Sequence, residues 1–336
     1  PAWPREGYRF VAAASPIEPN VCPDRFVYHD GDILPAWRSL AEKEVCIVHS
    51  WNLSRFPIRA IEPETRTVIL AGRTWHPSLN DITPRNWYRV ENVLEAFDQP
   101  GQWYLDRERG VLSYIPLPGE DPATARVVAP RHATVITLAG DAQAGTTVEH
   151  LVFRGLTLAH NGWNVPAEGY SYAQAEAPVI GALTARNARH VRVERCTVRH
   201  TGTYAVDFGN GCRDCVVEDC ELFDLGAGGV KIGVAWEGEN DPRNYASACA
   251  VRETLIAYGG RVHPAGVGVW IGHAASNTVA RNTIHDLYYS GVSAGWKWSF
   301  GPNPACANLI ERNHIFRVGQ GVLSDLGGIY MLGEQP

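Results

Sequence analysis

Five short stretches of this chain share one frame. "GVKIG" runs from Gly229 to Gly233 and "GVWIG" from Gly268 to Gly272, with weaker copies in "AVDFG" (Ala205 to Gly209), "GVSAG" (Gly291 to Gly295) and "GIYMLG" (Gly328 to Gly333). The flanking positions stay apolar, while the middle one is rewritten as Asp207, Lys231, Trp270, Ser293 and Tyr330. That pattern is a short strand with two side chains turned inward and one outward. A strand repeated once per unit restricts the chain to repeat architectures.

A second phrase, apolar-x-x-Asn/Cys-x-apolar, accompanies the first. It reads "VERCTV", "VEDCEL", "VRETLI", "VARNTI" and "IERNHI", with "FRGLTL" (Phe153 to Leu158) as a degenerate first copy. Its fourth positions are Leu156, Cys196, Cys220, Thr254, Asn282 and Asn313, at intervals of 40, 24, 34, 28 and 31 residues. Such a period belongs to a solenoid. Each unit holds short strands and no helix, and leucine-rich, ankyrin and tetratricopeptide signatures are absent. The expected fold is therefore all-β, a right-handed parallel β-helix whose coils differ in length through loops inserted at the turns. Asn282 and Asn313 are expected to stack as an amide ladder, with Cys and Thr replacing them in other coils. The spacing of Cys212, Cys215 and Cys220 superficially resembles a metal knuckle, but no second ligand pair follows. Cys196 and Cys220 fall on the inward ladder position, where buried Cys packs as a small apolar residue. No metal and no cofactor is expected, and nothing indicates Ca²⁺.

Composition agrees with a turn-rich β protein: 33 glycines, 22 prolines and one methionine in 336 residues, with 45% apolar residues to build a core. A net charge of −6 argues against a nucleic-acid or anionic-membrane partner. No run of apolar residues is long enough to span a membrane as a helix. Residues 1–145 are expected to hold early coils interrupted by a compact β-rich insertion, and residues 146–336 the coils that carry the groove. Within the first part, a short helix is expected from Glu91, stopped by Pro100. A hairpin should follow, with strands "QWYLD" and "VLSYI" joined across Arg107 to Gly110. The chain begins at Pro1 and stops in mid-motif at Pro336, and reads as a fragment of a longer protein.

Four residues beyond the ladder position the coils read His160, His200, Asp224, Tyr258, Asp286 and Arg317. Turn columns usually hold Gly, Asn, Asp or Ser. The large ionisable groups here, and the outward column that begins soon after, are expected to border one groove. Trp270, Trp296, Trp298, Tyr288, Tyr289 and Tyr330 crowd that face, and aromatic planes suit the apolar faces of pyranose rings. Any one Trp is equally well explained as packing; their clustering between His285 and Trp298 favours a binding surface.

Hydrolysing a glycosidic bond requires two carboxyl groups. Asp207, Asp224, Asp286 and Asp325 are the candidates. Asp207 lies one coil from Lys231 and is expected to form an ion pair. Asp224 and Asp286 share a turn position two coils apart, at roughly 10 Å. Asp286 and Asp325 lie in turns of consecutive coils and are the expected catalytic pair, although a lone turn aspartate more often caps backbone. Substrate contacts are expected at Asp207, Asp224, Lys231, Trp270, His200, Tyr289, Trp296 and Tyr330. The glycine run after Asp224 lacks the βαβ setting of a nucleotide loop. His49, His76 and His263 are scattered singly and are expected on the surface or in loops.

The stretches "ENVLEAFDQPGQWYLDRERGVLSYIPLPGED", "DLGAGGVKIG", "VGVWIG", "YSGVSAGW" and "LSDLGGIYMLG" resemble the right-handed β-helix glycoside hydrolases of family 141, over roughly residues 20–336. That family includes α-L-fucosidases and xylanases acting on plant cell-wall polysaccharides, on a pectin-lyase-like solenoid. The resemblance implies a glycoside hydrolase with a polysaccharide or oligosaccharide partner and a secreted or periplasmic location; a monomer is expected. It implies two catalytic aspartates, which motif position puts at Asp286 and Asp325. Two other classes stay open. One is a polysaccharide lyase using Lys231 as base, with Ca²⁺ neutralising a uronate; the other is a non-catalytic carbohydrate-binding solenoid.

Overall fold

The structure is a computed structural model that describes residues 1–14, 20–235, 241–298, 300 and 303–333. The chain divides into two compact units, residues 1–128 with 164–173, and residues 129–163 with 174–336.

The second unit is a right-handed parallel β-helix. Its long face stacks seven parallel strands, Ile136–Ala139, Gly181–Arg186, Tyr204–Phe208, Val230–Gly233, Val269–Gly272, Val292–Lys297 and Ile329–Gly333. A second face runs from Val152–Arg154 to Leu309–Glu311, and a third from Thr157–Ala159 to His314–Phe316, with six strands each. The variable column of the opening frame is in register: Asp207 pairs with Lys231, Lys231 with Trp270, Trp270 with Ser293, and Ser293 with Tyr330.

Each coil turns its corners on single residues in the left-handed region. They recur five residues apart: His190, Arg195 and His200 in one coil, then Asp214, Asp219 and Asp224, and so on to Ala307, Arg312 and Arg317. At a corner the backbone N–H still points along the solenoid. Arg195 donates to the Glu218 carbonyl, Asp219 to Arg252, Glu253 to Ala280 and Arg281 to Glu311. The hydrogen-bond ladder therefore continues around the bend, and no backbone group is orphaned there.

The residue after each corner turns inward. Behind the second corner, the Cys196 N–H donates to Cys220 Sγ and the Cys220 N–H to Thr254 Oγ1. In turn the Thr254 N–H donates to Asn282 Oδ1 and the Asn282 N–H to Asn313 Oδ1. This is the expected ladder. A second, unforeseen one stands five residues upstream, where the Cys249 N–H donates to Asn277 Oδ1 and the Asn277 N–H to Asn308 Oδ1. Cys212, Cys215 and Cys249 are buried in the same core, and all eight cysteines are unpaired.

The compact β-rich module expected near the N-terminus is this first unit; the first strand of the parallel stack is Ile136–Ala139, and among the described residues up to 128 no strand pairs in parallel. Six strands, Arg9–Ala14, Arg25–Tyr28, Thr67–Leu70, Leu53–Glu62, Glu44–Val48 and Trp87–Glu91, pair antiparallel in that order. The last also pairs with the first, closing the sheet on itself. Alternate residues fill the interior, including Phe26 with Tyr28, Val45 with Ile47, Phe56 with Ile58, and Tyr88 with Val90. The expected helix after Glu91 is a single 3₁₀ turn, Leu94–Ala96, while the hairpin Trp103–Asp106 with Val111–Tyr114 forms as read. No helix among the described residues is long and apolar enough to cross a membrane.

Asn282 spends its whole side chain on the ladder. Its Nδ2 donates to the Val251 carbonyl and to Asn313 Oδ1, both at 2.9 Å, and it is 1% exposed. Asn282→Ala strands the Thr254 N–H and the Val251 carbonyl inside the solenoid. Denaturant unfolding should show a loss of about 2 to 4 kcal/mol; a loss no larger than that of an exposed Asn→Ala control would remove the ladder from the stability argument.

Candidate active site

The outward column of the long face does not reach solvent before Tyr330. Asp207, Lys231, Trp270 and Ser293 are all buried, and a segment without regular structure, residues 174–180, bonds to Lys231. Polar contacts tie the segment down. Lys231 Nζ donates to the carbonyls of Ala177 and Val179, the latter at 2.9 Å. Tyr204 Oη donates to the Ala175 carbonyl (2.6 Å) and Gln174 Nε2 to Tyr289 Oη (2.7 Å). Glu176 approaches His263 at 3.5 Å, with Trp163 edge-on to that ring. Ala175 and Glu176 are both left-handed, so the segment turns sharply where it meets the solenoid.

This placement overturns several expected substrate contacts. Trp270 is fully buried, its ring edge-to-face with Trp296 at 5.2 Å and under Lys231 Nζ at 5.7 Å. Trp296 and Tyr289 are each 1% exposed. Asp207 pairs with Lys231 at 3.8 Å, as expected, and with Arg186 at 2.8 Å, but the whole group lies out of reach of a polymer. Asp207, Lys231, Trp270, Tyr289 and Trp296 therefore serve the packing of a second layer, not a groove surface. Among the expected contacts, His200, Asp224 and Tyr330 keep access to solvent.

The third corner column is exposed and continuous. The rings of His160 and His200 stack at 5.2 Å, and His200 Nδ1 lies 2.6 Å from Asp224 Oδ2. Arg261 follows, 4.0 Å from Asp224 and over the rings of Tyr258 and Tyr288. Tyr258 meets His285 edge-on, and His285 leads to Asp286. Large groups are not peculiar to this column, because the other two corner columns also carry His, Arg, Asp and Glu. The expectation that ionisable corners by themselves mark function is thus corrected. A corner side chain points outward, and the fold accepts any type there.

Asp286 and Asp325 sit in different surroundings. Both are left-handed residues of consecutive coils, Asp286 in the third-face strand Thr283–Leu287 beside Arg317, and Asp325 in the irregular stretch between Phe316 and Ile329. Asp286 accepts a two-pronged bond from Arg317, with Nε to Oδ1 at 2.8 Å, and contacts His285 Nδ1. The Arg317 guanidinium, helped by His285, holds its carboxyl below the usual range, at about 2. Asp325 is exposed, and its carboxylate accepts from Tyr330 Oη at 2.9 Å, while its backbone carbonyl accepts from Tyr289 Oη at 2.7 Å. Burial, and then the Asp325 carboxylate, raise the Tyr330 phenol above its usual value. The structure thus gathers Asp325, Tyr330, Tyr289 and Gln174, and separately Asp286, His285 and Arg317; His200 with Asp224 forms a third group.

Sequence reading missed Gln174, Glu176 and Tyr204; His263 lies in a loop, as expected, but is buried there at 2% exposure. One signal was available. The first ladder interval, 40 residues against 24 for the next, requires an insertion that leaves the coil and returns to it.

Fold and corner geometry together define a right-handed parallel β-helix with an antiparallel β unit beside it in the sequence. The sequence pattern of the family described as the right handed beta helix region matches residues 181–331. A solved structure described as a glycoside hydrolase superposes with a TM-score of 0.81 at 20% identity, over 97% of this chain and 65% of that one. This chain therefore spans about 65% of that protein's length, and the likeness is one of fold. The tailspike protein gp49 from Pseudomonas phage LKA1 aligns at 8% identity over 87% of this chain and 47% of its own, with a TM-score of 0.20 that carries no argument. No curated protein matches the chain. No group of three or more His, Cys, Asp or Glu among the described residues is arranged to hold a metal ion.

Two outcomes follow from these surroundings. Trp270→Ala should cost about 3 to 5 kcal/mol of stability as a core truncation; an unchanged melting curve would contradict its burial. Asp286 has a lowered folded-state pKa, so its pairing with Arg317 stabilises the fold above the unfolded carboxyl value of about 4. That contribution is lost as pH falls toward about 2. Stability of the wild type and Arg317→Gln, measured from pH 7 downward, should converge through that window, and an NMR titration of Asp286 in the variant should move up toward the ordinary range. A gap that stays constant with pH would exclude the pairing.

Proposed function

We propose that this chain is the solenoid part of a glycoside hydrolase acting on plant cell-wall polysaccharide, fucosidase- or xylanase-like, with Asp286 and Asp325 as its carboxyl pair. The observation that carries this reading is the contrast between the two aspartates. They lie in consecutive coils, one in a third-face strand and locked in an ion pair, the other in the irregular stretch that follows and exposed beside a phenol. Pairs of carboxyl groups held in unlike surroundings are how acid and base roles are divided. An aspartate held at about 2 is ionised throughout the working range, so Asp286 takes the anionic role of nucleophile or base. Asp325 then donates the proton to the leaving oxygen, with Tyr330 fixing its Oδ1 and leaving Oδ2 to face the bond. His200 and Asp224 lie on the same corner column and offer hydroxyl contacts further along a bound chain. The shared architecture with a glycoside hydrolase supports the class, and the motif resemblance supports the substrate. A polymeric wall substrate in turn favours a secreted or periplasmic protein that works as a monomer without a cofactor.

The lyase reading loses its base, because Lys231 is 4% exposed and committed to two backbone carbonyls. The experiment is product analysis on a panel of plant polysaccharides. New reducing ends support hydrolysis, unsaturated uronates would support elimination, and retention without turnover would leave a binding solenoid. Asp286→Asn and Asp325→Asn should each lower turnover by about 10²- to 10⁴-fold with polysaccharide binding retained. Near-normal turnover in either variant removes that residue from the pair.

A further inference from the structure

The N-terminal unit holds a cleft of about 470 Å³ whose lining includes Glu44, Glu91, Asn92, Trp103 and Arg107. Its floor is unusual for a sheet end. Glu44 and Glu91 are direct cross-strand partners, and like charges so placed destabilise a sheet. The pair is kept by Arg55, which bonds both carboxylates through one nitrogen, and by Arg89, which bonds Glu91. An apolar pair would close the barrel end without this network. The carboxylates stay within reach of solvent, at 27% and 23% side-chain exposure, and Glu44 Oε1 has no partner among the described residues.

The rim supplies a flat apolar wall. On the strand Trp103–Asp106 side chains alternate. Tyr104 turns inward, 4% exposed, with its hydroxyl on Glu42 at 3.3 Å; Trp103 turns outward and is 59% exposed without a ring partner. Arg107, next to this strand, has no ion-pair partner among the described residues and adds donors to the same cleft. An exposed indole, a carboxylate with one oxygen unbonded and the Arg107 guanidinium, whose charge acts on Glu44, match a saccharide, whose ring face packs on the indole and whose hydroxyls both donate and accept. A strongly anionic ligand would meet Glu44 and Glu91; a strongly cationic one would meet Arg55 and Arg107.

We propose that this cleft is a second saccharide site, binding an uncharged stretch of oligosaccharide against Trp103; the ligand class rests on the glycoside hydrolase reading. The test is native affinity electrophoresis of the chain in gels containing soluble xylan or fucosylated xyloglucan, with reducing-end release by the wild type measured alongside. The wild type should be retarded by at least one polymer. Trp103→Ala and Arg107→Ala should each bind it about tenfold more weakly or worse, at unchanged melting temperature. Variants retarded like the wild type overturn the site while leaving the hydrolase reading intact. Hydrolysis without any retardation does the same. Retardation that depends on Trp103 without release of reducing ends keeps the site and removes the hydrolase reading, and neither retardation nor release removes both.

Discussion

Three left-handed residues per coil hold this solenoid together. Each costs about 1 to 2 kcal/mol of backbone strain when it is not glycine, and of the eighteen corners from His150 to Arg317 only Gly155 is glycine. The strain persists because the corner is over-determined. Its N–H continues the ladder along the axis, and the next residue drops into the core. Asn282 shows the compensation most fully, satisfying the Thr254 N–H and the Val251 carbonyl of the preceding coil from one buried amide. The corner side chain is not dictated in type by the fold, though some pair across coils, as Asp286 does with Arg317 and Glu253 with Arg281. It stands in solvent, which is why His, Asp, Glu, Arg, Tyr, Ala and Ser all occupy equivalent positions.

The same geometry decides what could be read in advance. The ladder phrase was legible because an inward position admits few residue types, so Asn, Thr and Cys recur where apolar neighbours fix the frame. The upstream ladder of Cys215, Cys249, Asn277 and Asn308 obeys the same rule. Of its cysteines Cys215 was weighed only as part of a metal knuckle and Cys249 not at all, and its strands are short enough to leave isolated bridges instead of a phrase. The extent of the N-terminal module was not legible for another reason. Alternating apolar residues in "RFVYHDGDI" or "EVCIVHSW" look alike in a parallel coil and in an antiparallel barrel, and closure rests on pairs such as Arg9 with Tyr88, far apart in sequence. The residues after Glu91 include good helix formers, but too few to repay nucleation before Pro100, so one 3₁₀ turn remains.

The rewritten middle letter of the repeated frame has its explanation in the covering segment. Outward from the solenoid core is not outward to water. Residues 174–180 lie over the long face without strand partners of their own, so their carbonyls need donors. Lys231 supplies two bonds from one ammonium, its charge answered by Asp207 behind it and by the faces of Tyr204 and Trp270 beside it. The other letters answer other neighbours, Asp207 pairing with Arg186, Trp270 packing on Trp296 and Ser293 accepting from the Trp296 indole. A sequence shows that such a position is free of the core; it does not show what lies across from it.

The column emerges only at its last member. Tyr330 is half-buried where the letters before it are covered, and its hydroxyl reaches Asp325. Gln174, the first residue of the covering segment, bonds Tyr289, whose hydroxyl in turn holds the Asp325 backbone. The edge of the second layer and the candidate acid are thus fixed by one hydrogen-bonded chain. Asp286 stands in a stacked strand with Arg317 beside it, whereas Asp325 lies in the irregular stretch before Ile329, tied by Tyr289 and Tyr330. Their partners differ accordingly, a guanidinium for one and phenols for the other. The solenoid supplies Arg317 and Tyr330, and Gln174, the first residue of the covering segment, reaches Asp325 through Tyr289.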